Sequence, residues 1–169
     1  TQGDQSLTAL SIRENGSNGA TLNTPGLLTV TDNEIDRHPD GTGLTVSAAD
    51  SSSIFVDNTI RRAQFVASLV PGVVEQVMGN TLLDTERGLY IRNGTLDIDA
   101  TWPARGIEYV VHGRSDVTVH PDAQLTLAPG TIIKFTQQRS YHNDGDLVIN
   151  GDLDARGTAE NPIIFTSLA

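Results

Sequence analysis

The stretch LTLAPGTIIKF, residues 125–135, poses the question on which the fold turns. Two short apolar runs, Leu125–Leu127 and Thr131–Phe135, flank Ala128-Pro129-Gly130. Proline holds φ near −65° and glycine accepts positive φ, so the pair punctuates the chain strongly. Two strands around it form either a hairpin that folds back or a corner after which the chain keeps winding in one direction. The repeats elsewhere in the sequence separate the two.

Residues 116–136, DVTVHPDAQLTLAPGTIIKFT, align with 146–166, DLVINGDLDARGTAENPIIFT, at an offset of 30. Asp116 meets Asp146, Val117 meets Leu147, Val119 meets Ile149, Ile133 meets Ile163 and Phe135 meets Phe165. Each unit holds three short runs, VTV, LTL and TIIKF in one and LVI, DLDA and PIIF in the other, parted by turns rich in Gly, Pro, Asn and Asp. The polar segment QQRSYHNDG, 137–145, is an excursion between the units. Runs this short and this close do not suit an ordinary sandwich. They suit the three sides of a coil, with equivalent strands of successive coils pairing in parallel about 4.8 Å apart. Pro129-Gly130 is then a corner. Alternation turns Leu125, Leu127, Ile133 and Phe135 inward and Thr126 and Lys134 outward. The expected fold is an all-β parallel β-helix, a solenoid of about six or seven coils at roughly 20–30 residues each, in a single domain 1–169.

The first half repeats in its own way. LLTVTDNEI at 27–35, SSIFVDNTI at 52–60 and VEQVMGNTL at 74–82 each lead apolar residues into an asparagine, then to Ile or Leu. A second apolar run follows each: GLTV at 43–46, QFVASLV at 64–70 and GLYI at 88–91, which sets Phe65 against Leu44 and Leu89. Asn33, Asn58 and Asn80 occupy the shared position. An asparagine turned inward at a coil corner carries both donor and acceptor. Stacked on its counterparts, it forms a structural ladder that satisfies groups whose burial otherwise costs about 1–3 kcal/mol each. The other reading is three exposed turn residues, a position asparagine also favours. The common flanking pattern favours the ladder. Residues 61–80 also admit a helix broken at Pro71-Gly72, because Ala63, Val66, Ala67 and Val70 have roughly helical spacing. The repeat register favours strand.

Composition narrows the function classes. Among 169 residues, 37% are apolar and 19% charged, which is the balance of a folded chain. Sixteen glycines and 5% aromatics suit many corners around a core of Val, Ile and Leu. A net charge of −10 disfavours nucleic acid as a partner. The absence of cysteine excludes disulfides, thiol catalysis and cysteine metal sites. No run of 18 apolar residues exists, so no membrane insertion is expected.

ATWPARGIEYVVHGRSDVTVHPDAQLTLAPGTIIKF, 100–135, followed by LVINGDLDARGTAENPIIFTS, 147–167, resembles the right-handed parallel β-helix repeats of bacterial and archaeal cell-surface proteins, in the pectin-lyase-like fold group. The match is good over 100–168, looser over 27–99 through the asparagine pattern, and weak over 1–26. It implies a right-handed coil and an extracellular or cell-surface location, in a large multidomain protein with further coils. It is specific for fold and poor for function. Polysaccharide lyases and hydrolases on this fold carry carboxylates with Arg, Lys or His on the outer face of adjacent coils.

Asp-x-Asp pairs occur here at Asp97/Asp99, Asp144/Asp146 and Asp152/Asp154. On a strand, i and i+2 share a face, so Asp97 and Asp99 are expected outward beside inward Leu96 and Ile98. Such pairs can bind Ca²⁺ or do acid–base work, or simply solvate a strand face, the more ordinary role. No other cofactor is implied. His38, His112, His120 and His142 are scattered and form no metal motif. Tyr90, Trp102, Tyr109 and Tyr141 are spread along the chain, and Trp102 is expected to cover a coil edge rather than to stack on sugar. Asn15-Gly16-Ser17 and Asn93-Gly94-Thr95 are formal N-glycosylation sequons.

The expected function is a structural, non-enzymatic module of a cell-surface protein, building a stalk, fibre, filament or adhesin by coil stacking. The alternative is a carbohydrate-binding or polysaccharide-degrading module, with polysaccharide as partner. Residues 1–6 are short and polar, and the segment after Ile163 reads as strand. A solenoid end without a cap exposes unpaired backbone groups over an apolar core. The edge Ile163, Ile164 and Phe165 is therefore expected to meet further coils or an identical subunit stacked head to tail.

Overall fold

A computed structural model describes residues 3–14, 16–84, 87–104, 106–113, 116–136 and 145–168, the side chains of Ala48 and Met78 excepted. The strand pairings described below are parallel, and within each unit the all-β coils stack as a solenoid, about six turns in all. The chain divides into two compact units, Thr1–Gly88 and Leu89–Ala169.

In the first unit, β1 (Gln5–Thr8), β2 (Ser11–Arg13) and β3 (Ala20–Asn23) line one coil. β4 (Leu28–Thr31) and β5 (Glu34–Ala48) line the next, and β6 (Ile54–Leu69) the third. β7 (Gly79–Leu83) follows two short 3₁₀ turns, Pro71–Val73 and Glu75–Met78. Residues 61–69 are thus strand, and helical geometry enters only after Val70, in those turns. The inward columns are apolar and in register: Leu7, Val30 and Phe55 in one, Ile12, Ile35, Ile60 and Leu82 in another. Val30, Ile35, Phe55 and Ile60 are fully buried.

A straight strand of 15 or 16 residues would span about 50 Å, far beyond one side of a coil. β5 and β6 bend instead at non-glycine residues in the left-handed region: Arg37 (φ 63°), Asp57 (56°) and Arg62 (52°). These belong to two stacked series. Ala9, Asp32 and Asp57 precede the three-residue strand side, and Glu14, Arg37, Arg62 and Asp84 follow it. Aspartate enters this region more readily than most side chains, so Asp32, Asp57 and Asp84 lower the cost of the corner.

Phe65 lies beside Thr42, not Leu44, which pairs with Ala67. The register shifts between His38 and Thr42, where β5 carries Pro39-Asp40-Gly41 against the single residue Gln64 of β6. A bulge of this kind is invisible to an alignment that matches apolar residues.

β8 (Arg87–Ile91) leads from the first unit into the second, where β9 (Gly94–Leu96) and β10 (Ala100–Trp102) are followed by β11 (Tyr109–Val111), β12 (Val117–Val119) and β13 (Gln124–Leu127). β14 (Ile132–Phe135), β15 (Leu147–Ile149) and β16 (Asp152–Asp154) come next, and β17 (Ile164–Ser167) closes the series. β13 pairs with β10 and β16, whereas β14 pairs with β11 and β17. The two strands around Pro129-Gly130 therefore belong to different sheets, and the stretch is a corner, not a hairpin. Gly130 sits at φ 87°, and the Thr131 N–H donates to the Ala128 carbonyl at 3.1 Å, closing the turn. Leu125, Leu127 and Ile133 are buried, Thr126 and Lys134 half-buried, and Phe135 is half-buried rather than fully inside.

The 30-residue offset is an average of three. It is 30 at Val117↔Leu147, 28 at Leu125↔Leu153 and 32 at Ile133↔Phe165. Ile133 thus meets Phe165 and Phe135 meets Ser167, two residues away from the sequence alignment. The corner Asn150-Gly151 is two residues shorter than His120–Ala123, and the later segment 155–163 is longer than 128–131. The tight corner depends on glycine: a Cβ at Gly151 would lie 2.1 Å from the His120 carbonyl oxygen and 2.3 Å from that of Ala123.

Candidate functional site

The singled-out asparagines form a continuous hydrogen-bonded chain along the first unit. Asn33 Nδ2 donates to Asn58 Oδ1 at 2.8 Å, and Asn58 Nδ2 donates to Asn80 Oδ1 at 2.8 Å. The same oxygens accept the backbone N–H of the preceding asparagine, each at 3.1 Å. The amide nitrogens also reach carbonyls of neighbouring corners, Leu7 from Asn33, Val30 and Val56 from Asn58, and Phe55 and Val77 from Asn80. Asn33 and Asn58 are buried, and Asn80 is half-buried. At the equivalent position of the first coil stands Leu10, whose backbone N–H donates to Asn33 Oδ1 at 3.0 Å.

Beside the ladder runs a seam of alternating charge. Arg13, Asp36 and Arg61 are in register on β2, β5 and β6. Glu34 bonds both Arg13 and Arg61, and Arg37 bonds Glu14. Asp36 is almost completely buried and receives Arg62 Nε at 2.7 Å and Arg62 Nη2 beside it, with Arg61 at 3.6 Å. The Arg62 hydrogen bond holds the Asp36 carboxyl below the usual carboxylate range; burial opposes this, and the charges of Arg62, Arg61 and Arg37 reinforce it. The sequence reading missed this seam. Its signal was legible once the repeats were aligned, as ionic residues of opposite sign at one strand position in successive coils.

The carboxylate pairs do not converge. Asp97 and Asp99 lie on a corner between β9 and β10, not on a strand, and Ile98 between them is 46% exposed rather than inward. Three residues from Asp97 to Asp99 suffice to turn from one sheet to the next, so strand alternation does not apply there. Asp99 Oδ1 accepts the Gln124 backbone N–H of the adjacent coil at 2.8 Å. Asp116 accepts the Asp146 N–H at 3.2 Å in the same way. Asp152 and Asp154 lie on β16, where Asp154 bonds Arg156 Nε at 2.7 Å; that bond holds its carboxyl below the usual range. Among the described residues no group of three or more His, Asp or Glu is placed to hold a metal ion. Asp144, Tyr141 and His142 lie outside the described residues.

Trp102 and Tyr109 come together although they were expected apart from one another. Their rings stack at 5.3 Å with 28° between planes, inside the core. The Tyr109 hydroxyl donates to the Pro103 carbonyl at 2.5 Å. Trp102 is fully buried rather than a cover at a coil edge. Tyr90 meets His112 edge-on at 5.3 Å, His38 is buried, and exposed His120 lies 3.6 Å from Asp122.

The chain matches no family model, no curated protein and no solved structure.

In the second unit the last coil is more exposed than the coils before it. The inward column Leu89, Tyr109 and Ile133 is fully buried, but its fourth member, Phe165, is 48% exposed. Leu125 is buried and its neighbour Leu153 is 41% exposed; Leu147 and Ile149 are half-buried. Ile164 is exposed too, with its N–H donating to the Thr131 carbonyl at 2.9 Å, and Ile163, half-buried, precedes β17. Among the described residues no helix is long and apolar enough to cross a membrane.

Proposed function

We propose that this chain is a structural module of an extracellular or cell-surface protein, building a β-helical stalk, fibre or filament by coil stacking, and that it has no catalytic role. The observation that carries the reading is the coil-on-coil stacking itself, with Asn33, Asn58 and Asn80 bonded in one ladder and Leu89, Tyr109 and Ile133 in one buried column. Side chains in inward register are buried only when a neighbouring coil covers them, so each coil depends on the next. The employment of the carboxylates supports the same reading, since Asp99, Asp116 and Asp154 bind backbone N–H groups or arginine rather than facing a common point. A cell-surface origin in the pectin-lyase-like group rests on the sequence resemblance alone.

Sedimentation and electron microscopy of the purified chain test the reading. Concentration-dependent filaments are expected, and Phe165→Asp with Leu153→Asp should abolish them while leaving the circular dichroism spectrum unchanged. A wild-type chain that stays monomeric at high concentration would overturn stacking. Release of reducing ends or unsaturated products from a polysaccharide, lost on changing Asp97 and Asp99, would overturn the non-catalytic assignment.

A further inference from the structure

We propose that Asn93 is an acceptor for an N-linked glycan, presented by the folded chain. The inference rests on the extracellular reading only for its biological setting; the chemistry depends on the site itself. Asn93-Gly94-Thr95 is the acceptor triplet, in which the hydroxyl two residues on is required. Asn93 is exposed in the bend between β8 and β9, and its side chain makes no hydrogen bond among the described residues. That sets it apart from Asn33, Asn58 and Asn80, whose amides are committed to the ladder. Thr95 is exposed and shares the outward column with Thr118, while its neighbour Leu96 is inward and buried. β9 is the edge strand of its three-stranded sheet, so the triplet is paired only with β12. A glycan at Asn93 would leave the inward columns intact.

The transfer balances with a lipid-pyrophosphate-linked oligosaccharide as donor. A bond forms between Asn93 Nδ2 and the anomeric carbon, the bond from that carbon to the pyrophosphate oxygen breaks, the lipid pyrophosphate leaves, and one Nδ2 proton passes to a base of the transferase.

The test is incubation of the folded protein with purified oligosaccharyltransferase and such a donor, read by intact mass. Asn15→Gln is used as background, because Asn15 opens the other triplet. One glycan mass is expected on Asn15→Gln. It should be lost on adding Asn93→Gln or Thr95→Ala and retained with Thr95→Ser. If the folded Asn15→Gln protein stays unmodified under conditions that modify a peptide of residues 88–99, the proposal fails. This result is independent of filament formation, so stacking and glycosylation fail separately.

Discussion

Asn33 and Asn58 lie 25 residues apart, yet the amide of one donates to the carbonyl oxygen of the other at 2.8 Å inside the coil. That oxygen also takes the Asn33 backbone N–H, so the pair satisfies side chain and main chain together. Asn58→Leu keeps the number and branching of heavy atoms and strands the Asn33 N–H and the Val30 carbonyl. Each buried group left without a partner costs about 1–3 kcal/mol. Denaturant titration should show a loss of at least that size. An unchanged midpoint would remove the ladder from the account of stability.

The first coil offers the reverse experiment. Leu10 holds the ladder position but is 43% exposed, so little apolar burial is lost on replacing it. Leu10→Asn should let a new Nδ2 reach Asn33 Oδ1, as Asn33 reaches Asn58. A gain of about 0.5–1.5 kcal/mol is expected from one added hydrogen bond. A thermal midpoint equal to or below that of the wild type counts against it.

Asp36 makes stability depend on acid. Its folded pKa is held below the ordinary 3.8, chiefly by the Arg62 hydrogen bond. The unfolded state therefore binds the proton first, and the stabilisation is complete above the unfolded pKa. It is lost as pH falls below 3.8 toward the lower folded value. Asp36→Asn should be less stable at neutral pH, with a flatter stability profile between neutral and acid pH than the wild type. Parallel profiles for the two proteins would refute the role of this carboxylate.

Gly151 tests the tight corner. Gly151→Ala would drive a methyl group into two carbonyl oxygens, and overpacking of this kind costs about 1–3 kcal/mol. Gly72→Ala has nothing within 4 Å and should be close to neutral by comparison. Equal denaturation midpoints for the two variants would show that the corner yields without cost.

Much of the inward pattern was legible in sequence. Leu125, Leu127 and Ile133 alternate with polar residues because a strand turns successive side chains to opposite faces. Asn33, Asn58 and Asn80 recur because each coil repeats one corner. Register was legible only in part. Ile133 was set against Ile163 instead of Phe165, an error of two residues that preserves the inward face and so leaves no trace in alternation. The corners at Arg37 and Arg62 were missed because neither residue type signals a positive φ.

The sequence alone determined that this chain winds in short parallel strands with apolar columns inside, since period, run length and turn residues are local properties. Only the tertiary structure decided which residues share a column, that Asp36 is clamped between Arg61 and Arg62, that Trp102 stacks on Tyr109, and that Asp97 and Asp99 sit on a corner. Those outcomes depend on the lengths of corners such as Asn150-Gly151. Corner length is set by how closely one coil's backbone can approach the next, and that distance exists only once the coils are stacked.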